Sequence, residues 1–159
     1  MIILGIDPGT ATTGFGIVEK NDNTFTCLDY GVIATSPKDS DSQRLQKIFK
    51  EVGLLCKKIK PDLVVIEKLY FFKNLKTAMP VAQARGVILL AIQQNKIKII
   101  ELTPLEVKMG ICGYGRAEKQ QVQKMVKETL NLEKIPKPDD SADALALAIC
   151  GALKARCPR

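Results

Sequence analysis

The chain has 159 residues, a formal net charge of +7 and no histidine. That length suits one domain with a sizeable single core, and the missing imidazole excludes HExxH zinc sites, Ser-His-Asp triads and any histidine general base. The positive excess is concentrated: residues 57–137 carry 16 Lys and Arg against 7 Asp and Glu, as a phosphate-backbone footprint would require. Lysine faces that serve only solubility are the alternative.

In chain order, residues 2–7 read as a buried strand that ends on Asp7, with a Pro-Gly-Thr turn directly after it. A buried ionised carboxylate is costly unless it is paired, hydrogen-bonded or bound to metal. Gly14 to Lys20 and Thr24 to Ala34 read as two further strands around an Asn-Asp-Asn turn, which makes an antiparallel meander. Leu45, Ile48, Phe49, Val52 and Leu55 recur at helical spacing and predict a helix over 42–60, ended by Pro61. Leu63 to Glu67 is a short buried strand that again finishes on a carboxylate.

A second helix is expected over 77–95, with Thr77 as its cap and Pro80 in its first turn, where the missing N–H is harmless. Gly86 inside it costs ~1 kcal/mol against Ala, so a close backbone approach is expected there, to the sheet or to a second copy. Gln83 and Arg85 either serve that contact or lie exposed. Lys98 to Leu102 is another strand. Thr103-Pro104-Leu105-Glu106 is a capping box with proline at the first helical position. That helix is short, because Gly110, Gly113 and Gly115 follow. Helices are then expected over 117–131 and, after a Pro-Lys-Pro break, over 139–155.

Strands in a meander followed by strands alternating with helices predict an α/β fold with a mixed sheet of five strands and helices on its faces. No linker divides the chain, so 1–159 reads as one domain. Sites in such sheets gather where strands end. Asp7 and Glu67 both stand there, and they face one another if their strands are neighbours. Asp140 and Asp143 share a helix face at i and i+3, and Asp139 and Asp143 share one at i and i+4, so spacing leaves Asp139 and Asp140 as alternatives. An acidic helix start serving capping and the macrodipole accounts for one aspartate but poorly for Asp143. An oxygen-only carboxylate set suits Mg²⁺ or Mn²⁺. Two such ions ~3.5–4 Å apart activate water and stabilise the leaving oxygen of a phosphodiester.

Five cysteines (Cys27, Cys56, Cys112, Cys150, Cys157), an odd number with no CxxC pair, read as reduced thiols. No charged segment with a cleavage site opens the chain, and no stretch reaches ~18 apolar residues. A cytoplasmic location without membrane contact is the expectation.

"GIDPGT…TGFGIV", "VVIEKLYFFKN", "AQARGV", "GYGRAEKQQV" and "DDSADALALAI" together resemble the RuvC family of Holliday-junction resolvases, colinearly over nearly the whole chain. GIDPGT alone is unspecific, since similar openings occur in actin-like ATPases, which are much longer, and short RNA-processing nucleases share it. The QARG helix and the aromatic loop after Glu67 favour the resolvase. The resemblance implies a ribonuclease H-like fold and an endonuclease that cuts four-way DNA junctions symmetrically in recombination and repair. It implies a homodimer, with allowance for a branch-migration motor complex as a further partner. It also implies two Mg²⁺ ions per subunit, with Mn²⁺ as a substitute, held by Asp7, Glu67, Asp140 and Asp143. It selects Asp140 over Asp139 and leaves Asp139 as a cap. Tyr70, where the family more often has Phe, falls on the base-stacking position, and Lys73, Lys108 and Lys119 fall on the DNA face. Core packing is the other reading of the aromatic run Tyr70-Phe71-Phe72. The RNA-processing nucleases remain the alternative function.

Overall fold

The structure, a computed structural model, describes residues 1–68 and 75–155, with the side chains of 75–77 excepted. The strands are β1 (Ile2–Asp7), β2 (Thr12–Asn21), β3 (Thr24–Ala34), β4 (Leu63–Glu67) and β5 (Lys98–Leu102). The helices are α1 (Asp41–Ile59), α2 (Leu75–Gln94), α3 (Pro104–Cys112), α4 (Lys119–Thr129) and α5 (Asp139–Lys154). The sheet runs β3-β2-β1-β4-β5, with β1, β2 and β3 antiparallel and β4 and β5 parallel to β1. This is the mixed five-stranded sheet the sequence predicts.

Strand parity divides the core. Ile3, Leu63, Val65 and Val18 point to the face covered by α3, α4 and α5, whereas Leu4, Val64, Ile66 and Ile17 point to the face covered by α1 and α2. Side chains two apart share a face, so Asp7 follows Ile3 and Gly5, and Glu67 follows Leu63 and Val65, onto the α5 side. Thr12 reaches the same side through Gly14, Gly16 and Val18.

α5 lies directly on glycines. A Cβ at Gly5 would strike the Ala144 carbonyl, one at Gly14 the Asp140 carbonyl, and one at Gly16 the backbone of Leu145. Gly5 and Gly16 are cross-strand partners, and Asp7 is paired with Gly14. The glycine floor therefore lets the start of α5 approach the end of β1. At its other end Lys20 Nζ donates to the Ala152 carbonyl, 2.7 Å away, and closes the helix terminus.

Several local expectations change. α2 starts at Leu75, so Thr77 is not its cap and Pro80 lies inside the helix, at the cost of one backbone bond. Ala84, Ile88, Ala91 and Ile92 pack on the sheet and carry the helix through this break. Gly86 faces away from that stripe, and a Cβ there would meet nothing within 4 Å, so no helix-to-sheet approach explains it. Arg85 is neither exposed nor free: its Nη2 pairs with Glu101 at 2.6 Å and its Nε donates to the Glu67 carbonyl at 3.4 Å. Asp139 is not a cap, because Pro138 occupies that position and Asp139 is the first helical residue, bonded to Lys137 Nζ at 2.9 Å. The Thr103–Glu106 capping box forms as predicted, and a second one, Ser40 with Gln43, starts α1.

Candidate active site

The parallel β1–β4 register pairs Ile6 with Ile66, so Asp7 and Glu67 leave the sheet side by side. α5 brings Asp140 and Asp143 over them from the glycine floor. Thr12 Oγ1, from β2, donates to Asp140 Oδ2 at 2.5 Å and orients that carboxylate. Lys119, the first residue of α4, sets its ammonium 3.0 Å from Asp143 and 3.6 Å from Asp139. Both helix spacings are therefore realised: Asp139 and Asp143 flank the lysine, and Asp140 turns toward Asp7 and Thr12.

The electrostatics are those of crowded, desolvated like charges. Burial pushes Asp7 up to about 8, reinforced by Glu67, then Asp143 and Asp140, with Lys119 opposing. Burial also raises Glu67 and Asp143; Asp143 adds to the rise at Glu67, and Lys119 opposes both. Burial pulls the Lys119 ammonium down, but its hydrogen bond to Asp143 and the charges of Asp143 and Asp139 outweigh this, so it stays firmly protonated. Asp139, in contrast, is held below the usual range, first by its hydrogen bond from Lys137.

Two cavities flank the carboxylates. One of about 180 Å³ is lined by Glu67, Asp143, Lys108 and Lys119 over the apolar floor of Val107 and Val122. The other, of about 350 Å³, is lined by Asp7, Asp140, Thr10, Thr12 and Arg44. The fold thus gathers Asp7, Glu67, Asp140, Asp143, Lys108 and Lys119. Tyr70 and Lys73, with Phe71 and Phe72, lie outside the described residues. Thr12 and Arg44 are additions. Strand parity marks Thr12, but nothing at the Arg44 position of an amphipathic helix signals a site.

An all-oxygen set of carboxylates, in which burial raises Asp7, Glu67 and Asp143, has the donor chemistry of a hard divalent cation. Among the described residues, no group of three such side chains is closed into a cage able to hold an ion as placed. Among the described residues, the positive charge at this set is the Lys119 ammonium, 3.0 Å from Asp143.

Residues 3–151 match the family described as Crossover junction endodeoxyribonuclease RuvC. The chain is 53% identical over 149 residues to the protein of that name from Fusobacterium nucleatum, covering 94% of this chain and 78% of the relative. The Thermus thermophilus RuvC structure aligns with a TM-score of 0.87 at 32% identity, covering 96% of this chain and 93% of that one. A second T. thermophilus RuvC structure, in complex with a Holliday junction substrate, aligns with the same TM-score at 29% identity and the same coverage. This chain therefore belongs to the RuvC family of crossover junction endodeoxyribonucleases.

Proposed function

We propose that the protein resolves Holliday junctions as a metal-dependent homodimeric endonuclease, making paired symmetric incisions that leave 5′-phosphate and 3′-hydroxyl ends. The observation that carries this reading is the convergence of Asp7 and Glu67, side by side at two strand ends, with Asp140 and Asp143 across from them and basic side chains on either side. Asp7, Glu67, Asp140 and Asp143 are the residues that would hold Mg²⁺, two ions per subunit, or Mn²⁺ in its place. Bound there, such ions would activate the attacking water and stabilise the leaving oxygen.

The chain's own groups supply the rest. Lys119 and Lys108 present positive charge in the Glu67–Asp143 cavity, where a scissile phosphodiester oxygen can be held against the carboxylates. Thr12 keeps Asp140 in one orientation, and Arg85 grips the backbone carbonyl of Glu67 from the helix side. Hydrolysis breaks the P–O3′ bond, and the 3′ oxygen leaves with a proton. Tyr70 would stack on an unpaired base at the junction centre, with Lys73 on the neighbouring backbone. A branch-migration motor complex is a further proposed partner.

The deciding assay incubates the protein with labelled four-way, three-way and linear DNA, with and without Mg²⁺. Wild type should cut the four-way junction in Mg²⁺ alone. Glu67→Gln should bind the junction as well as wild type and fail to cut it. Cutting by Glu67→Gln at a near-normal rate defeats the metal reading, and preferential cleavage of structured RNA supports the RNA-processing alternative.

A further inference from the structure

We propose that Arg44 binds the DNA backbone, gripping the phosphate that neighbours the scissile one on the Asp7–Asp140 side of the carboxylates. This rests on the nuclease reading above. A strand laid across Asp7, Glu67, Asp140 and Asp143 carries like charge past like charge, so it needs positive partners on both sides. Lys108 and Lys119 serve the Glu67–Asp143 cavity. In the cavity on the other side, Arg44 is the only basic residue of the lining among the described residues, and the space of about 350 Å³ accommodates a sugar-phosphate unit.

The guanidinium is held in place for this task. Its Nε donates to Thr35 Oγ1 at 2.8 Å. The Thr35 hydroxyl donates in turn to the Thr10 carbonyl at 2.6 Å, and the Thr35 N–H to the Ala11 carbonyl at 2.9 Å. Arg44 is thereby tied to the turn that directly follows Asp7. Among the described residues no carboxylate lies within ion-pair distance of it, although Asp7 and Asp140 line the same cavity. An arginine fixed through Nε keeps the Nη edge of its fork, which matches two phosphate oxygens. The same wall holds Thr10, whose buried hydroxyl finds no partner among the described residues.

The competing role is a staple from α1 to the turn after β3, made by the Arg44–Thr35 bond alone. Binding of four-way junction and of linear duplex is measured in EDTA across a salt series, for wild type, Arg44→Gln, Arg44→Lys, Thr35→Val and, as a control in the last turn of α1, Lys58→Gln. Arg44→Gln should lower the log–log salt slope by about one unit, Arg44→Lys should restore most of it, and Lys58→Gln should leave it unchanged. Single neutral methylphosphonates are then placed along the cut strand. One position beside the cut should weaken wild-type binding several-fold and Arg44→Gln not at all. An unchanged slope in Arg44→Gln, with equal methylphosphonate losses in both proteins, overturns the proposal. So does a Thr35→Val protein that loses the slope as fully as Arg44→Gln while melting at the same lowered temperature, since the staple then accounts for both. Absence of junction preference in wild type defeats the resolvase reading instead, and the slope on linear duplex still judges Arg44.

Discussion

Asp7 is the residue whose environment is most at odds with its charge. Its carboxyl is pushed up to about 8 by burial and by Glu67, Asp143 and Asp140, against about 4 in an unfolded chain. Below about pH 4 both states are protonated and folding is undisturbed. Between there and about 8 the folded chain retains a proton that the unfolded chain has released, so stability falls as pH rises through that window. Asp7→Asn removes this burden and should stabilise the protein by ~1–3 kcal/mol at pH 7.5 in EDTA, since each pKa unit corresponds to about 1.4 kcal/mol. At pH 4 the advantage should close, and urea denaturation at the two pH values checks it. An equal difference at both would mean that the ionised carboxylate carries no penalty. Millimolar Mg²⁺ should raise the melting temperature of wild type by mass action and leave that of Asp7→Asn nearly unmoved.

Among the elements, α5 carries the greatest functional consequence, because its height above the sheet sets how far Asp140 and Asp143 stand from Asp7 and Glu67. That height depends on missing side chains. Gly16→Ala would drive a methyl into the Leu145 backbone, which should cost about 1–3 kcal/mol by overpacking and reduce cleavage by more than the stability loss explains. Gly53 in α1 is the control: a Cβ there meets nothing within 4 Å, so Gly53→Ala should stabilise by roughly 0.5–1 kcal/mol and leave cutting intact. Melting curves and single-turnover cleavage of the pair separate helix displacement from a generic glycine effect.

Two opposed cuts require two carboxylate sites at a fixed separation, and the proposed symmetric dimer would supply them. Within α2, Met79, Gln83, Gly86 and Leu90 fall on one helical face, with Met79 68% and Leu90 52% exposed. Gly86 has open space beside it within the described chain, so a second copy is the remaining candidate for a close approach. Leu90→Glu should therefore give a monomer in sedimentation. Gly86→Ala should raise monomer stability by about 0.5–1 kcal/mol while weakening dimerisation. On a supercoiled plasmid with an extruded cruciform, wild type should yield linear product, whereas a heterodimer with Asp7→Asn should yield nicked circle. Dimeric Leu90→Glu protein would place the interface elsewhere.

Much of this molecule is legible in the chain because local rules act over a few residues. Short apolar runs mark β1 and β4, each ending on its carboxylate, Asp7 and Glu67, and the Thr103–Glu106 box starts α3 where the residues say it should. The RuvC motifs are colinear, so family and fold follow from the sequence too. Other features depend on contacts between residues far apart in the chain. α2 starts at Leu75 rather than at Thr77, because packing of Ala84 and Ile88 on the sheet outweighs the proline at 80. The partners of Arg85, Thr12 and Lys119 lie on different elements, at separations that no local period encodes. Only the tertiary structure shows that Asp139 flanks Lys119 while Asp140 meets Thr12, because two neighbouring aspartates on a helix point about 100° apart and the surrounding strands and helices decide what each one faces.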